Sequence, residues 1–225
     1  MRNIVIGILC LIMSPVYAQR IVEKQMDCSQ KETVSFDIQI ADSIIVHTWN
    51  RKEVSLKASI DVNAGQDSDE YKVEFDESGT AIKVTARFDD AFMRNNNHLK
   101  SNIYWNIYIP EGKNLKVKTI DGNVTVVGNS AALDLSTISG NVIITGKLAA
   151  IEAKAISGFI DVAVMTDTKA SLDFKTISGT IYSDHDVSGL GQSKPGSNKL
   201  STQLNGGGMP IKLKTISGDI YFRKI

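Results

Sequence analysis

Cysteine is nearly absent from this chain. The two present are Cys10, inside an apolar leader, and Cys28, so once the leader is removed no internal disulfide can form and the fold rests on its core. An excess of either charge is lacking as well: 25 Lys and Arg balance 25 Asp and Glu, without the basic clusters that nucleic-acid binding requires. Histidine is scarce, and none of His47, His98 and His185 has a second ligand at zinc-like spacing. Asp184-His185-Asp186 opens a Ser/Gly-rich loop and reads as an ordinary solvated turn. Gly206-Gly207-Gly208 has no following helix to bind a phosphate, and the serines of the chain lack a Gly-x-Ser-x-Gly elbow. No cofactor, no metal and no catalytic residue is expected. After the leader no apolar run is long enough to span a bilayer, which excludes a transmembrane anchor in the remainder.

The leader has the features of an export signal. Met1-Arg2-Asn3, an apolar run from Ile4 to Met13, and small residues at Val16 and Ala18 predict a signal peptide over residues 1–18, cut before Gln19. Ile8 and Leu9 stand where a lipidated Cys10 would need small residues. The expected destination is export to the periplasm, the outer-membrane surface or the medium.

What the chain does have is a repeat. Thr/Ala-Ile-Ser/Asp-Gly recurs at Gly122, Gly140, Gly158, Gly179 and Gly218, with spacings of 18, 18, 21 and 39 residues. The last gap equals the two kinds of spacing together, so it has room for one degenerate copy. Before each glycine, as in Leu133-Asp-Leu-Ser-Thr-Ile-Ser-Gly140, apolar and polar residues alternate with the period of a half-buried strand. After it comes a second short strand, such as Val142 and Ile144. Glycine suits the bend because it adopts positive φ without steric cost. A hairpin meander and a parallel β-solenoid both fit; the near-constant period favours stacking, in which like residues form columns. Ile120, Ile138, Ile156, Ile177 and Ile216 are expected to form one such column, buried in the stack.

Residues 33–110 lack the phrase but read as strands: Thr33 to Ile40, Ser43 to Trp49, Glu53 to Asn63, Tyr71 to Asp76, Ala81 to Phe88 and Tyr104 to Ile109, with Asp89 to Asn102 as an exposed loop. The expected organisation is a polar segment over 19–32 and one domain over 33–225. Its 33–110 part would cap the N-terminal end of the 111–225 repeats against edge pairing. Ile44-Ile45-Val46-His47-Thr48-Trp49-Asn50-Arg51-Lys52, then Ile107-Tyr108-Ile109-Pro110-Glu111-Gly112 and the Thr-Ile-Ser-Gly repeats, resemble a family of secreted bacterial β-strand-repeat domains, grouped as candidate adhesins and as a domain of unknown function. The resemblance implies an all-β, single-stranded, right-handed parallel β-helix-like fold in or outside the envelope. It supplies no catalytic residues.

The polar columns and the aromatics are the remaining candidates. Asp134, Glu152 and Asp173 would run together along a sequential stack, as paired carboxylates do in polysaccharide-cleaving solenoids. A neighbouring column with Lys118, Lys154, Lys175 and Lys214 favours a solvated charge ladder instead. Tyr104, Phe159, Tyr182 and Tyr221 are the candidates for an outward surface that stacks on sugar rings or a protein, whereas Trp49 and Trp105 are assigned to the core or cap. The expected partner is a glycan or an envelope protein. A third reading, after the carbohydrate-active one, is an accessory of envelope signalling bound to a membrane partner by strand addition at an open C-terminal edge near Phe222, with Arg223 and Lys224.

Overall fold

The computed structural model describes residues 19–96, 99–187 and 198–225. The expected signal peptide and His98 lie outside them. The N-terminal half contains β1 (Arg20–Asp27), β2 (Thr33–Ile38), β3 (Ile40–Trp49), β4 (Glu53–Val62), a 3-10 turn (Ser68–Glu70), β5 (Tyr71–Asp76), β6 (Ala81–Phe88), α1 (Asp90–Asn95) and β7 (Ser101–Pro110). The repeats form β8 (Asn114–Val127), β9 (Ser130–Ser139), β10 (Val142–Thr145), β11 (Leu148–Ser157), β12 (Ile160–Val164), β13 (Ala170–Ser178), β14 (Ile181–Ser183), β15 (Lys199–Leu204), β16 (Met209–Ser217) and β17 (Ile220–Lys224).

The protein is all-β, and the seventeen strands are hydrogen-bonded into one open sheet. Its pairings fall into two runs joined by β8, which bends at Ile120-Asp121 and contributes to both. One run is β5-β6-β2-β8-β9-β11-β16-β13-β15. The other is β1-β4-β7-β3-β8-β10-β12-β17-β14. The two runs share a single hydrophobic cluster, and Phe174 of β13 meets Phe222 of β17 edge-on with centroids 5.2 Å apart. Apart from β13–β15, the pairings within the repeats are parallel and in register, Leu115 against Leu133 against Ile151, as the near-constant period predicts.

Stacking order departs from chain order twice. The β16–β17 unit lies between β11–β12 and β13–β14, and the β2–β3 unit lies between β6–β7 and β8. Among the described residues of the last 39-residue gap there is no degenerate parallel coil, since β15 runs antiparallel to β13 from Ala170–Leu204 to Lys175–Lys199. Nor is the strand near Phe222 an open edge, because β17 has a partner on each side, which removes the strand-addition site expected there. The outermost strands are instead β5, β15, β1 and β14. The first three pair antiparallel to their neighbours and the last has three residues, so the long parallel strands are all covered.

The isoleucine column exists but faces outward. Ile120, Ile138, Ile156, Ile177 and Ile216 are 42 % to 63 % exposed, while the preceding position, Thr119, Thr137, Ala155, Thr176 and Thr215, is buried. Alternation carries inward through Leu, Leu/Val/Phe/Ala and Thr and then breaks. Isoleucine and the residue after it are both exposed, because the chain turns its corner there. The buried threonines stay satisfied at the bend: Thr176 Oγ1 donates to Gly218 O at 2.8 Å and Thr137 Oγ1 to Ser139 O at 3.1 Å. Ile156→Asp is therefore expected to cost no more than about 1 kcal/mol. Ala155→Asp, one residue earlier, places an unpartnered carboxylate in the core and is expected to unfold the stack. Thermal melts of the two variants distinguish this register from its one-residue slip.

Two further expectations change. Within the expected polar segment 19–32, residues 20–27 form β1 along β4, and Met26 and Cys28 are buried in the core. Burial pushes the Cys28 thiol up, so it is a packed apolar residue and not a reactive one. Within the stretch expected as a loop, Asp89 Oδ1 accepts from Ala91 N at 2.8 Å and caps α1.

Candidate binding surface

Each bend is lined by two ladders. A Cβ on Gly140 would lie 2.1 Å from Gly122 O, and one on Gly218 would lie 2.1 Å from Gly158 O, so the backbones approach too closely for any side chain. Gly158 and Gly179 meet Gly140 O and Gly218 O in the same way, and Gly122 meets Ala41 O. The following position supplies the second ladder. Asn123 Oδ1 accepts from Asn141 N at 3.0 Å, Asn141 Oδ1 from Phe159 N at 3.1 Å, and Asp219 Oδ1 from Thr180 N at 2.8 Å. These side chains bridge the strands where the backbone ladder is interrupted. The recurrence of Asn or Asp after glycine was a readable signal of this role.

Along the bend an open groove of about 740 Å³ is lined by Asp42, Asp121, Ser139 and Leu99 to Asn102, among others. Asp42 is already engaged there, with Oδ2 accepting from Ile103 N at 2.7 Å.

Three of the four aromatic candidates assemble. Parallel pairing of β14, β17 and β12 sets Tyr182 beside Tyr221 and Tyr221 beside Asp161 on the outer face. The Tyr182 and Tyr221 rings stack with centroids 5.2 Å apart and planes 10° from parallel, and Phe159 closes edge-on to Tyr221 at 5.9 Å. Tyr221 Oη donates to Asp219 Oδ2 at 3.2 Å. Desolvation by its neighbours and this bond raise the Tyr221 phenol above its ordinary range. Beside the rings Arg223 grips Asp161 with two bonds, Nε to Oδ1 at 2.7 Å and Nη2 to Oδ2 at 2.5 Å. The result is a stepped aromatic surface flanked by a fixed ion pair.

Tyr104 is exposed but separate, on β7, five strands from β17 and thus about 24 Å away. Near it lies a cluster that the sequence reading missed. Register between β3 and β7 sets His47 against Tyr108, with centroids 5.2 Å apart. Trp49 stacks on Tyr108 at 5.0 Å, and the Arg51 guanidinium lies 4.6 Å from the Trp49 ring. Trp49 is thus a partly exposed surface residue, while Trp105 is in the core as expected.

The carboxylate column is dispersed by the stacking order. Lys212 of β16 stands between Glu152 and Asp173, so the three acids do not run together. Asp134 pairs with Lys116 at 3.1 Å and Glu152 with Lys154 at 2.6 Å. The Lys154 ammonium holds the Glu152 carboxyl below its usual range, the opposite of what a general acid needs. His185 is buried against the Phe222 ring, and burial lowers its pKa. No group of three His, Cys, Asp or Glu among the described residues is placed to hold a metal ion, and no described helix is long and apolar enough to cross a membrane.

No curated protein sequence matches the chain. Its fold is similar to that of a crystal structure of a candidate cell adhesion protein from Clostridium sporogenes. The two share 12 % identity with a TM-score of 0.69, over 92 % of this chain and all of that one. A candidate adhesin from Bacteroides fragilis aligns over 92 % of this chain and 98 % of its own at 10 % identity and a TM-score of 0.30. One from Parabacteroides merdae aligns over 90 % and 96 % at 11 % identity and a TM-score of 0.25. Residues 111–223, which contain all five glycine repeats, match the profile of the Toastrack DUF4097 family, and the chain belongs to that family.

Proposed function

We propose that this protein is a non-enzymatic adhesin or scaffold of the bacterial envelope that binds a glycan on the Phe159–Tyr221–Tyr182 surface. In this reading the parallel units form a right-handed β-helix-like solenoid. The chain is exported by its leader, and the rigid stack holds the rings in place without any ligand-induced ordering. The observation that carries the proposal is the aromatic row itself: two tyrosine rings stacked at 5.2 Å, edged by Phe159 and by the Asp161–Arg223 pair. Such rings offer apolar faces to the C–H side of a sugar, and their hydroxyls and the ion pair serve its hydroxyl groups. The lowered Glu152 pKa and the interposed Lys212 weigh against the hydrolase reading.

The test is retention of residues 19–225 on a panel of bacterial and host polysaccharides, with assay for new reducing ends. Saturable retention without product is expected, and Tyr221→Ala or Tyr182→Ala should weaken it about tenfold, the scale of one lost aromatic contact. Release of reducing ends, or retention indifferent to both substitutions, would refute the reading.

A further inference from the structure

We infer that the other outer face carries an interfacial site for anionic phospholipid, formed by the isoleucine ridge and the lysine column beside it. In stacking order the ridge reads Ile120, Ile138, Ile156, Ile216, Ile177, on five adjacent parallel strands β8, β9, β11, β16 and β13. At strand spacing it is about 19 Å long. All five side chains are between 42 % and 63 % exposed, on positions where any polar β-former would serve the fold as well. An aligned aliphatic row of this kind is not the scatter of single apolar residues found on ordinary surfaces.

Shape and charge select the occupant. The residue after each isoleucine, Asp121, Ser139, Ser157, Ser217 and Ser178, is exposed too, so the row crests a corner of the molecule, and the open groove lined by Asp121 and Ser139 takes in none of the five isoleucines. A bilayer interface accepts an aliphatic ridge of this kind without any enclosing walls. Two residues before the isoleucines stand Lys118, Ser136, Lys154, Lys214 and Lys175, and Lys199 of β15 continues the row beside Lys175. Lys154, Lys214 and Lys175 thus occupy the successive strands β11, β16 and β13, and with Lys154 also paired to Glu152 at 2.6 Å the column concentrates positive charge beside the ridge. The acids nearby are Asp134, Glu152 and Asp173, one column further from the ridge and interspersed with Lys116 and Lys212, with Asp37, paired to Lys118 at 4.0 Å, and Asp121 towards the other end. A soluble polyanion would engage the lysines and leave the isoleucines wet. A surface with phosphates above hydrocarbon engages both, the aliphatic row entering the headgroup boundary while the long lysine stems reach back to phosphate.

The experiment is co-sedimentation of residues 19–225 with vesicles of pure phosphatidylcholine and of equal parts phosphatidylcholine and phosphatidylglycerol. Binding to the anionic vesicles alone is expected. It should fall at least about tenfold in the triple variant Ile138→Thr/Ile156→Thr/Ile216→Thr, which keeps β-branched residues on an exposed face, and by a similar factor in Lys154→Gln/Lys175→Gln/Lys214→Gln. Ile156→Trp supplies a second readout, since its emission should shift to the blue on anionic vesicles. Three results would overturn the inference: no sedimentation with anionic vesicles, binding that the threonine variant leaves unchanged, or a dimer in light scattering that the threonine variant dissolves. The aromatic surface lies on the other run of strands, so Tyr221→Ala should leave vesicle binding intact, and the two proposals fail independently.

Discussion

Ending the chain at Leu204 is expected to abolish cooperative folding of the repeat half, although only the last repeat is removed. The truncation takes away β16 and β17, which lie inside the stack between β11–β12 and β13–β14. β13 would keep only its antiparallel partner β15, and β14 would lose its pairing altogether. Four fully buried side chains, Ile211, Leu213, Ile220 and Phe222, would leave the core. At about 1.5–3 kcal/mol for each, the loss is about 6–12 kcal/mol, comparable with the whole stability of a typical domain at about 5–15 kcal/mol. A repeat protein stacked in chain order would respond differently, shedding one terminal unit and one interface and melting cooperatively with a smaller surface change. Urea denaturation followed by circular dichroism separates the two outcomes. A sharp transition with a slightly reduced slope would contradict the inserted position of β16–β17.

The substitution Gly218→Ala is expected to be among the most damaging single methyl groups in the protein. Gly218 sits at φ +152° with the site of its absent Cβ 2.1 Å from Gly158 O, a backbone atom that cannot swing aside. The conformation itself costs an L-residue about 1–2 kcal/mol, and relieving the clash requires β16 to part from β11 at the bend, where Thr215 Oγ1 also donates to Gly158 O at 3.3 Å. A total of at least about 3 kcal/mol would lower the melting temperature by roughly 6–12 °C in a chain of this size. Gly206→Ala is the control: φ is +86° there as well, but nothing lies within 4 Å of the added carbon. That variant should lose only the conformational part, about 1–2 kcal/mol. Equal losses at the two sites would mean that close backbone approach does not hold the bends together.

Much of the local structure is legible in the residues. Alternation in Leu133-Asp-Leu-Ser-Thr marks a strand and its buried face, and β5 and β6 begin and end where the Tyr71–Asp76 and Ala81–Phe88 patterns do. The outward direction of the isoleucines was not legible. A period of two predicts the face of a residue only while the strand stays regular, and the corner exposes two neighbours in succession. The same limit applies to the candidate surfaces. Phe159, Tyr182 and Tyr221 look unrelated in the chain, and they meet only because β17 is placed between β12 and β14. Likewise Lys154 and Lys175 flank Lys214 only in space.

By itself, then, the sequence determined the strand, the bend and the columns, since each depends on residues a few positions apart: apolar alternation, a glycine where no Cβ fits, an Asn or Asp to bridge the corner. The order in which the units stack was decided by the tertiary structure. The copies ending in Thr-Ile-Ser-Gly are so alike that any of them can lie against any other with nearly the same pairing energy, so local interactions do not choose among the orders. The cost of a longer connection grows only with the logarithm of its length, so the 39-residue spacing of Gly179 and Gly218 is little hindrance to inserting the last unit inward. Cooperative burial breaks the tie: with β16–β17 inside the stack, Phe222 packs against Phe174, Lys212 separates Glu152 from Asp173, and the exposed edges fall to β15 and the three-residue β14.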